Sequence, residues 1–126
     1  MTVQPLQLAD VKDRDFATKT DHDDSSITVR MTGNWDMRAT GPLDDFTRTL
    51  QQEAQRLQVA RVIVDMAKVE FINSSCLKSF ARWLGSLGKI GNEHQYSVTF
   101  CTDQPWQRRS LEALKALAAG RVNIEP

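Results

Sequence analysis

Hydrophobic positions along this chain follow the two-residue period of β-strands in some segments and helical spacing in others. Phe16–Thr20 has the character of an edge strand, and residues 27–33 alternate apolar with polar side chains until a glycine interrupts them. The polar run 21–25 between these segments is typical of a turn. The two strands are therefore predicted to form an N-terminal hairpin.

Three later segments carry apolar residues at helical spacing. We expect helices to begin near Pro42, Ser74 and Pro105. Proline suits the first turn of a helix, which supports the first and third of these starts. Their predicted inward stripes are Leu43, Phe46, Leu50, Ala54 and Leu57; then Leu77, Phe80, Ala81, Leu84 and Leu87; then Leu111, Leu114 and Leu117. Because glycine favours helix ends, Gly88 or Gly91 should end the second helix and Gly120 the third.

The remaining apolar segments predict strands between the helices. Val59–Met66 is a continuous apolar run broken only by Arg61 and Asp65, as expected of a central strand. Residues 96–100 alternate, and residues 122–124 could add a short last strand. This order predicts an α/β fold: a mixed four- or five-stranded sheet with an N-terminal β-hairpin and packed α-helices. The helices could cover one face of the sheet or both.

Length and hydropathy predict one globular domain. The chain has 126 residues, of which 40% are hydrophobic and 25% are charged, as in an ordinary globular protein. Residues 1–12 could form a flexible N-terminal segment, with 13–126 as the single domain. No apolar run is long enough to cross a bilayer, and the N-terminus lacks the features of a signal peptide. We therefore expect a cytoplasmic protein without direct membrane insertion.

Charge and residue clusters argue against several functions. Sixteen basic residues balance sixteen acidic ones, which disfavours a nucleic-acid binder. Cys76 and Cys101 are too few for a disulfide framework or a zinc site. The sequence offers no phosphate-cradling glycine loop, no paired-carboxylate site and no cluster of metal ligands. We therefore predict a non-enzymatic protein with no catalytic residue, no metal and no cofactor.

Residues 62–77 are the most informative part of the sequence. A buried-looking strand runs into Asp65, a short apolar link follows at 69–72, and Asn73-Ser74-Ser75 then opens an amphipathic helix. All three are good N-cap residues, and the start of a helix favours negative charge. A serine placed there can be a cap, an anion contact or a phosphorylation site. Asp65 could support this loop by accepting hydrogen bonds from its N–H groups.

Two neighbouring residues have simpler interpretations. Cys76 would lie in the first helical turn, where a thiolate can be stabilised, but no histidine lies near it in sequence. We interpret Cys76 as a small packing residue. The tryptophans Trp35, Trp83 and Trp106 are expected to pack rather than to bind. Trp83 is the one that could instead be partly exposed at an interface, beside Arg82.

Three segments together resemble the STAS domain, the fold of bacterial anti-sigma factor antagonists. Gly33–Asp36 resembles the family's Gly-acid-apolar-Asp segment, and Val62–Met66 resembles its central strand, which ends in Asp. Phe71–Leu77 resembles its hallmark, an apolar pair followed by Asp-Ser-Ser/Thr-Gly-Leu. The resemblance extends from about Ile27 to Ile124.

The resemblance implies a phosphoserine switch. The family's acceptor is the serine after that Asp, which corresponds to Ser74, with Ser75 as the second choice. The resemblance implies that the unphosphorylated protein captures a serine kinase or anti-sigma-like partner and that a phosphatase restores it after phosphorylation. The expected partner-binding residues, at and after the helix start, are Asn73, Ser74, Ser75, Cys76, Lys78 and Arg82.

This chain departs from the family pattern at three positions. Asn73 replaces the acid, Cys76 replaces glycine, and Lys78 replaces a usually small residue. Loss of the acid and gain of the lysine would both favour a phosphate electrostatically. The departures are also compatible with a constitutive STAS subunit of a membrane transporter complex that lacks the phosphoserine switch. A small-molecule or nucleotide sensor is a third alternative, supported only by the helix start; no oligomeric state is predicted.

Overall fold

A five-stranded sheet with strands in sequence order forms the centre of the structure, a computed structural model that describes residues 4–90, 95–118 and 120–126. The strands are β1 (Phe16–His22), β2 (Ser26–Trp35), β3 (Arg61–Ile72), β4 (Ser97–Cys101) and β5 (Val122–Glu125). The helices are α1 (Thr40–Arg56), α2 (Ser74–Gly88) and α3 (Pro105–Glu112), with 3-10 turns at Met37–Ala39 and Lys115–Ala118. These bounds confirm the predicted alternation of strands and helices.

The sheet is mixed. β1 and β2 pair antiparallel as the predicted hairpin, while β2–β3, β3–β4 and β4–β5 all pair parallel. β3 is the middle strand, which confirms the assignment made from its continuous apolar run. Burial alternates along β4, β5 and most of β2 and β3, so one face of the sheet lies under the helices and the other is open. The helices therefore cover one face.

The central strand is longer than its apolar run predicted. It begins at Arg61 rather than Val59 and continues to Ile72, so residues 69–72 are strand and not a link. Two register shifts in the β2–β3 pairing, near Arg30 and Gly33, bend this pair while keeping it hydrogen-bonded. Asp65 consequently lies inside the strand, where it accepts a hydrogen bond from the backbone N–H of Ala67 (3.0 Å). The prediction that Asp65 supports the serine loop is wrong.

The core between helices and sheet largely follows the predicted stripes. The fully buried side chains with the largest volumes are Trp35, Tyr96, Phe80, Phe100, Ile27, Met31, Leu43, Leu50, Met66, Leu84, Leu87 and Leu111. Leu77 is only half-buried. Leu117 is 42% exposed, contrary to prediction, because α3 ends at Glu112 and the following 3-10 turn has a different period.

The three tryptophans differ in how far they are buried. Trp35 and Trp83 are buried, as expected, whereas Trp106 is 39% exposed on the first turn of α3. The indole N–H of Trp83 donates to the hydroxyl of Tyr96 (2.8 Å), which donates in turn to the Gln51 side chain on α1 (2.9 Å). Trp83 can therefore be buried without leaving its indole N–H without a hydrogen-bond acceptor.

The last residue of α2 lies close to the second 3-10 turn. A Cβ on Gly88 would lie 2.1 Å from the carbonyl oxygen of Leu117, so only glycine admits the second 3-10 turn at this distance. The helix ends at Gly88, one of the two predicted positions. The other, Gly91, lies outside the described residues.

The segment before β1 contacts the rest of the domain. Leu6, Leu8 and Val11 pack against the core, and the backbone N–H of Gln7 donates to the Glu53 carboxylate on α1 (2.6 Å). We expected residues 1–12 to be a flexible segment; these contacts belong to its described part, residues 4–12.

Gly33 should be needed for the bend in β2. Its φ is +97°, and a Cβ there would lie 2.1 Å from the carbonyl oxygen of Asp15, which accepts a hydrogen bond from Asn34 (2.7 Å). Gly33→Ala should lower the free energy of unfolding by about 1–2 kcal/mol for the backbone conformation alone, with the clash in addition. Urea denaturation measures this loss. Gly41→Ala is the matched control, because Gly41 lies in α1 with open space around it. Equal stability of Gly33→Ala and the parent would contradict the account.

Candidate functional site

The start of α2 lies where the two extended strands end. β2 and β3 remain paired through Trp35 and Ile72, and the N–H of Asn73 then donates to the carbonyl of Trp35 (2.8 Å). This bond fixes the direction in which the chain leaves the sheet. The helix start is therefore held by backbone contacts to β2 as well as by its own first turn.

Asn73 is the N-cap of α2. Its backbone is extended, and its side-chain oxygen accepts a hydrogen bond from the N–H of Ser75 (2.8 Å). A neutral amide thus performs the capping that an aspartate would perform in the family pattern. Because Asn73 is the cap, the Ser74 hydroxyl takes no part in it. The Ser74 side chain is exposed, whereas Ser75 is half-buried.

Cys76 is a packing residue, as its sequence context suggested. It is fully buried, and its Sγ contacts the carbonyl oxygens of Trp35 (3.6 Å) and Asp36 (3.5 Å). Burial raises the pKa of the Cys76 thiol, with the charges of Asp36 and Asp44 acting in the same direction. A neutral, buried thiol has no surface to offer a partner, which corrects the inclusion of Cys76 among the partner-binding residues.

The two cations predicted at the site have different surroundings. Lys78 is exposed one helical turn after Ser74. Arg82, one turn further along, forms a bidentate pair with Asp44 of α1, at 2.7 and 2.8 Å from its carboxylate oxygens. Partial burial raises the pKa of Asp44, but hydrogen bonds from Arg82 and Ser79 outweigh it and hold the pKa below its usual value. Arg82 therefore joins α1 to α2, while Lys78 points its charge to solvent.

The charges near the helix start act in opposite directions. Asp36 and Asp44 both influence the Cys76 thiol, so both carboxylates lie within electrostatic reach of the first turn. Arg82 neutralises Asp44, and Lys78 and the dipole at the start of the helix favour an anion. The balance allows a negative group at Ser74 without a dedicated cationic pocket.

An exposed apolar pair flanks this helix start and was missed by the sequence analysis. Met37, two residues after Trp35, is 70% exposed, and Phe71, two residues before Asn73, is 49% exposed. We call these two side chains the apolar rim. Phe71 is exposed because the strand irregularity places Ile72 rather than Phe71 in the core. Alternation counted from Val69 would have placed Phe71 inside, so no local sequence signal indicates its exposure.

The described residues contain neither a cluster of metal ligands nor a membrane-spanning helix. No group of three or more His, Cys, Asp or Glu side chains is arranged there to hold a metal ion. None of the helices in residues 4–90, 95–118 and 120–126 is sufficiently long and apolar to span a membrane.

Solved structures of anti-sigma factor antagonists share this fold. One from Mycobacterium paratuberculosis aligns with a TM-score of 0.62 and 21% identity over 88% of this chain and 86% of its own. SpoIIAA, described as an anti-sigma factor antagonist in its unphosphorylated form, aligns with a TM-score of 0.53 and 15% identity over 75% of this chain and 81% of its own. The Bacillus cell fate determinant SpoIIAA in the phosphorylated form aligns with a TM-score of 0.53 and 13% identity over 86% of this chain and 91% of its own.

The fold of this chain is therefore the STAS fold of these antagonists, as the three sequence segments indicated. Comparison of the sequence with protein-family models and with curated proteins finds no match.

Proposed function

We propose that this protein is a cytoplasmic regulator in a bacterial partner-switching system, controlled by phosphorylation of Ser74. Unphosphorylated, it binds a serine kinase or anti-sigma-type partner; phosphorylation releases the partner, and a phosphatase reverses the change. The observation that carries this proposal is the exposed Ser74 hydroxyl, left out of the cap by Asn73, in the fold of anti-sigma factor antagonists.

The surface around Ser74 has the composition of a protein-binding site. The apolar rim of Met37 and Phe71 supplies exposed apolar area, and Lys78 and the half-buried Asn73 supply polar groups beside it. Apolar side chains that a partner can bury, surrounded by polar ones, are typical of protein interfaces. Arg82 contributes indirectly, because its pairing with Asp44 fixes α2 against α1.

A phosphate on Ser74 would be stable within this protein and unfavourable in its interface. The helix start and Lys78 would stabilise the dianion. A partner that covers the apolar rim would have to remove water from that dianion, at a large cost unless the partner supplies a cation. The modification can therefore change binding without unfolding the domain.

Ser74 rather than Ser75 should accept the phosphate. The protein is incubated with its cognate kinase and ATP, and the modified residue is identified by mass spectrometry. We expect phosphate on Ser74, near-complete loss of labelling in Ser74→Ala, and normal labelling in the matched variant Ser75→Ala. Ser75 is half-buried and its N–H is bound by the cap, so the kinase would have to distort the first turn to reach it. Labelling of Ser75 alone would refute the assignment.

A further inference from the structure

The open face of the sheet contains a cationic groove on the β1–β3 side. This groove, of about 750 Å³, is lined by four cations, Lys12, Lys19, Arg30 and Lys68, and by two carboxylates, Asp10 and Asp65. Its size is within the range of about 300–1,000 Å³ typical of small-molecule sites. It is formed by residues of β1, β2, β3 and the segment before β1, on the face that the helices leave uncovered.

Strand register brings like charges together in this groove. Lys19 and Arg30 are directly opposite one another in the antiparallel β1–β2 pair, so their side chains leave the same face of the sheet. Lys68 of β3 is the register partner of Thr32, which lies two residues beyond Arg30 on β2, and it extends the row of cations to β3. Like charges directly opposite one another are destabilising in a sheet.

The four cations of the groove are not neutralised by direct ion pairs in the part of the chain that the structure describes. Within residues 4–90, 95–118 and 120–126, none of the four cations forms an ion pair. The two carboxylates have hydrogen-bond donors of their own: Asp10 accepts from the Thr18 hydroxyl (3.1 Å), and Asp65 accepts from the N–H of Ala67 (3.0 Å). Arg30 and Asp65 are register partners on adjacent strands and still do not pair.

We propose that the cationic groove binds a small polyanion carrying two or more phosphate groups. Arginine and lysine are the side chains that bind phosphate best, and cations on three strands suit charges spread over several groups of one ligand. The balanced net charge of the chain favours a small ligand over a nucleic acid. This site is separate from Ser74, which begins a helix of the opposite layer, so neither proposal depends on the other.

Calorimetry with inorganic tripolyphosphate tests the proposal on the full chain. We expect saturable binding to the parent that weakens with added salt. Lys19→Gln/Arg30→Gln should weaken it at least about tenfold. The matched control, Lys89→Gln/Arg109→Gln, removes the same two charges from exposed positions on the helical side and should stay within about twofold of the parent. Equal unfolding midpoints of the variants in the absence of ligand show that both are folded.

Three results would overturn the proposal. The first is the absence of saturable binding to the parent, and the second is equal weakening in the two double variants, which would indicate a net-charge effect. The third concerns the amide chemical shifts of the parent during the titration. The proposal expects them to change around Lys19, Arg30 and Lys68. Changes confined to residues 73–78 would place the anion at the start of α2 instead.

Discussion

Leu84→Ala should lower the free energy of unfolding by about 2–5 kcal/mol, the sum of lost transfer free energy and the cavity left behind. Leu84 is fully buried on the face of α2 that meets the sheet, between the buried positions Phe80 and Leu87. Phe80 in turn contacts Phe100 of β4, with ring centroids 5.3 Å apart. Tightly packed aromatic neighbours cannot collapse easily into a leucine-sized void.

Denaturant unfolding measures this loss, and Leu117→Ala is its control. Leu117 is 42% exposed on the second 3-10 turn, so the same truncation there should cost less than about 1 kcal/mol. Similar losses in the two variants would show that the inward face of α2 has been assigned incorrectly.

Much of the fold could be predicted because the spacing of apolar residues within one strand or helix is a local sequence pattern. The apolar run at 62–66 and the stripe of Phe80, Leu84 and Leu87 are dictated by burial on a strand and on a helix. The extension of β3 to Ile72 could not be predicted, because it depends on register shifts against β2. Leu117 was misplaced for a related reason: a change from α-helix to 3-10 turn rotates each following side chain.

The candidate site could be predicted in part. The helix start at Asn73 and Ser74 was predicted because capping is a short-range signal, and the structure assigns the cap to Asn73. The choice of Ser74 as phosphate acceptor came from the family resemblance and stays a prediction. The roles of Arg82 and Cys76 depend on partners far away in sequence, Asp44 and Trp35, which no local pattern specifies. The same holds for the exposure of Met37 and Phe71.

Phosphorylation of Ser74 should weaken binding to the cognate kinase-type partner at least about tenfold, equivalent to about 1.4 kcal/mol. The phosphate places nearly two negative charges beside the apolar rim, where a partner must exclude water. The stabilising effect of the helix start, typically about 0.3–1 kcal/mol per charge, offsets only part of this cost. Ser74→Asp carries less charge and should weaken binding by a smaller factor, whereas Ser74→Ala should bind like the parent.

The fold of Ser74→Asp should be at least as stable as that of the parent. Aspartate at the first helical position interacts favourably with the helix dipole, and its spacing to Lys78 allows an ion pair worth about 0.2–0.5 kcal/mol. A loss of binding in this variant would therefore reflect the interface and not unfolding. Ser86→Asp, at an exposed position near the other end of α2, controls for the added charge and should leave binding unchanged.

Calorimetric titration of the partner into fully Ser74-phosphorylated protein, repeated on the same preparation after dephosphorylation, tests the proposed switch most directly. We predict an affinity at least about tenfold weaker with phosphate on Ser74, and full recovery once it is removed. Equal affinities before and after dephosphorylation, or tighter binding of the phosphorylated form, would contradict the account.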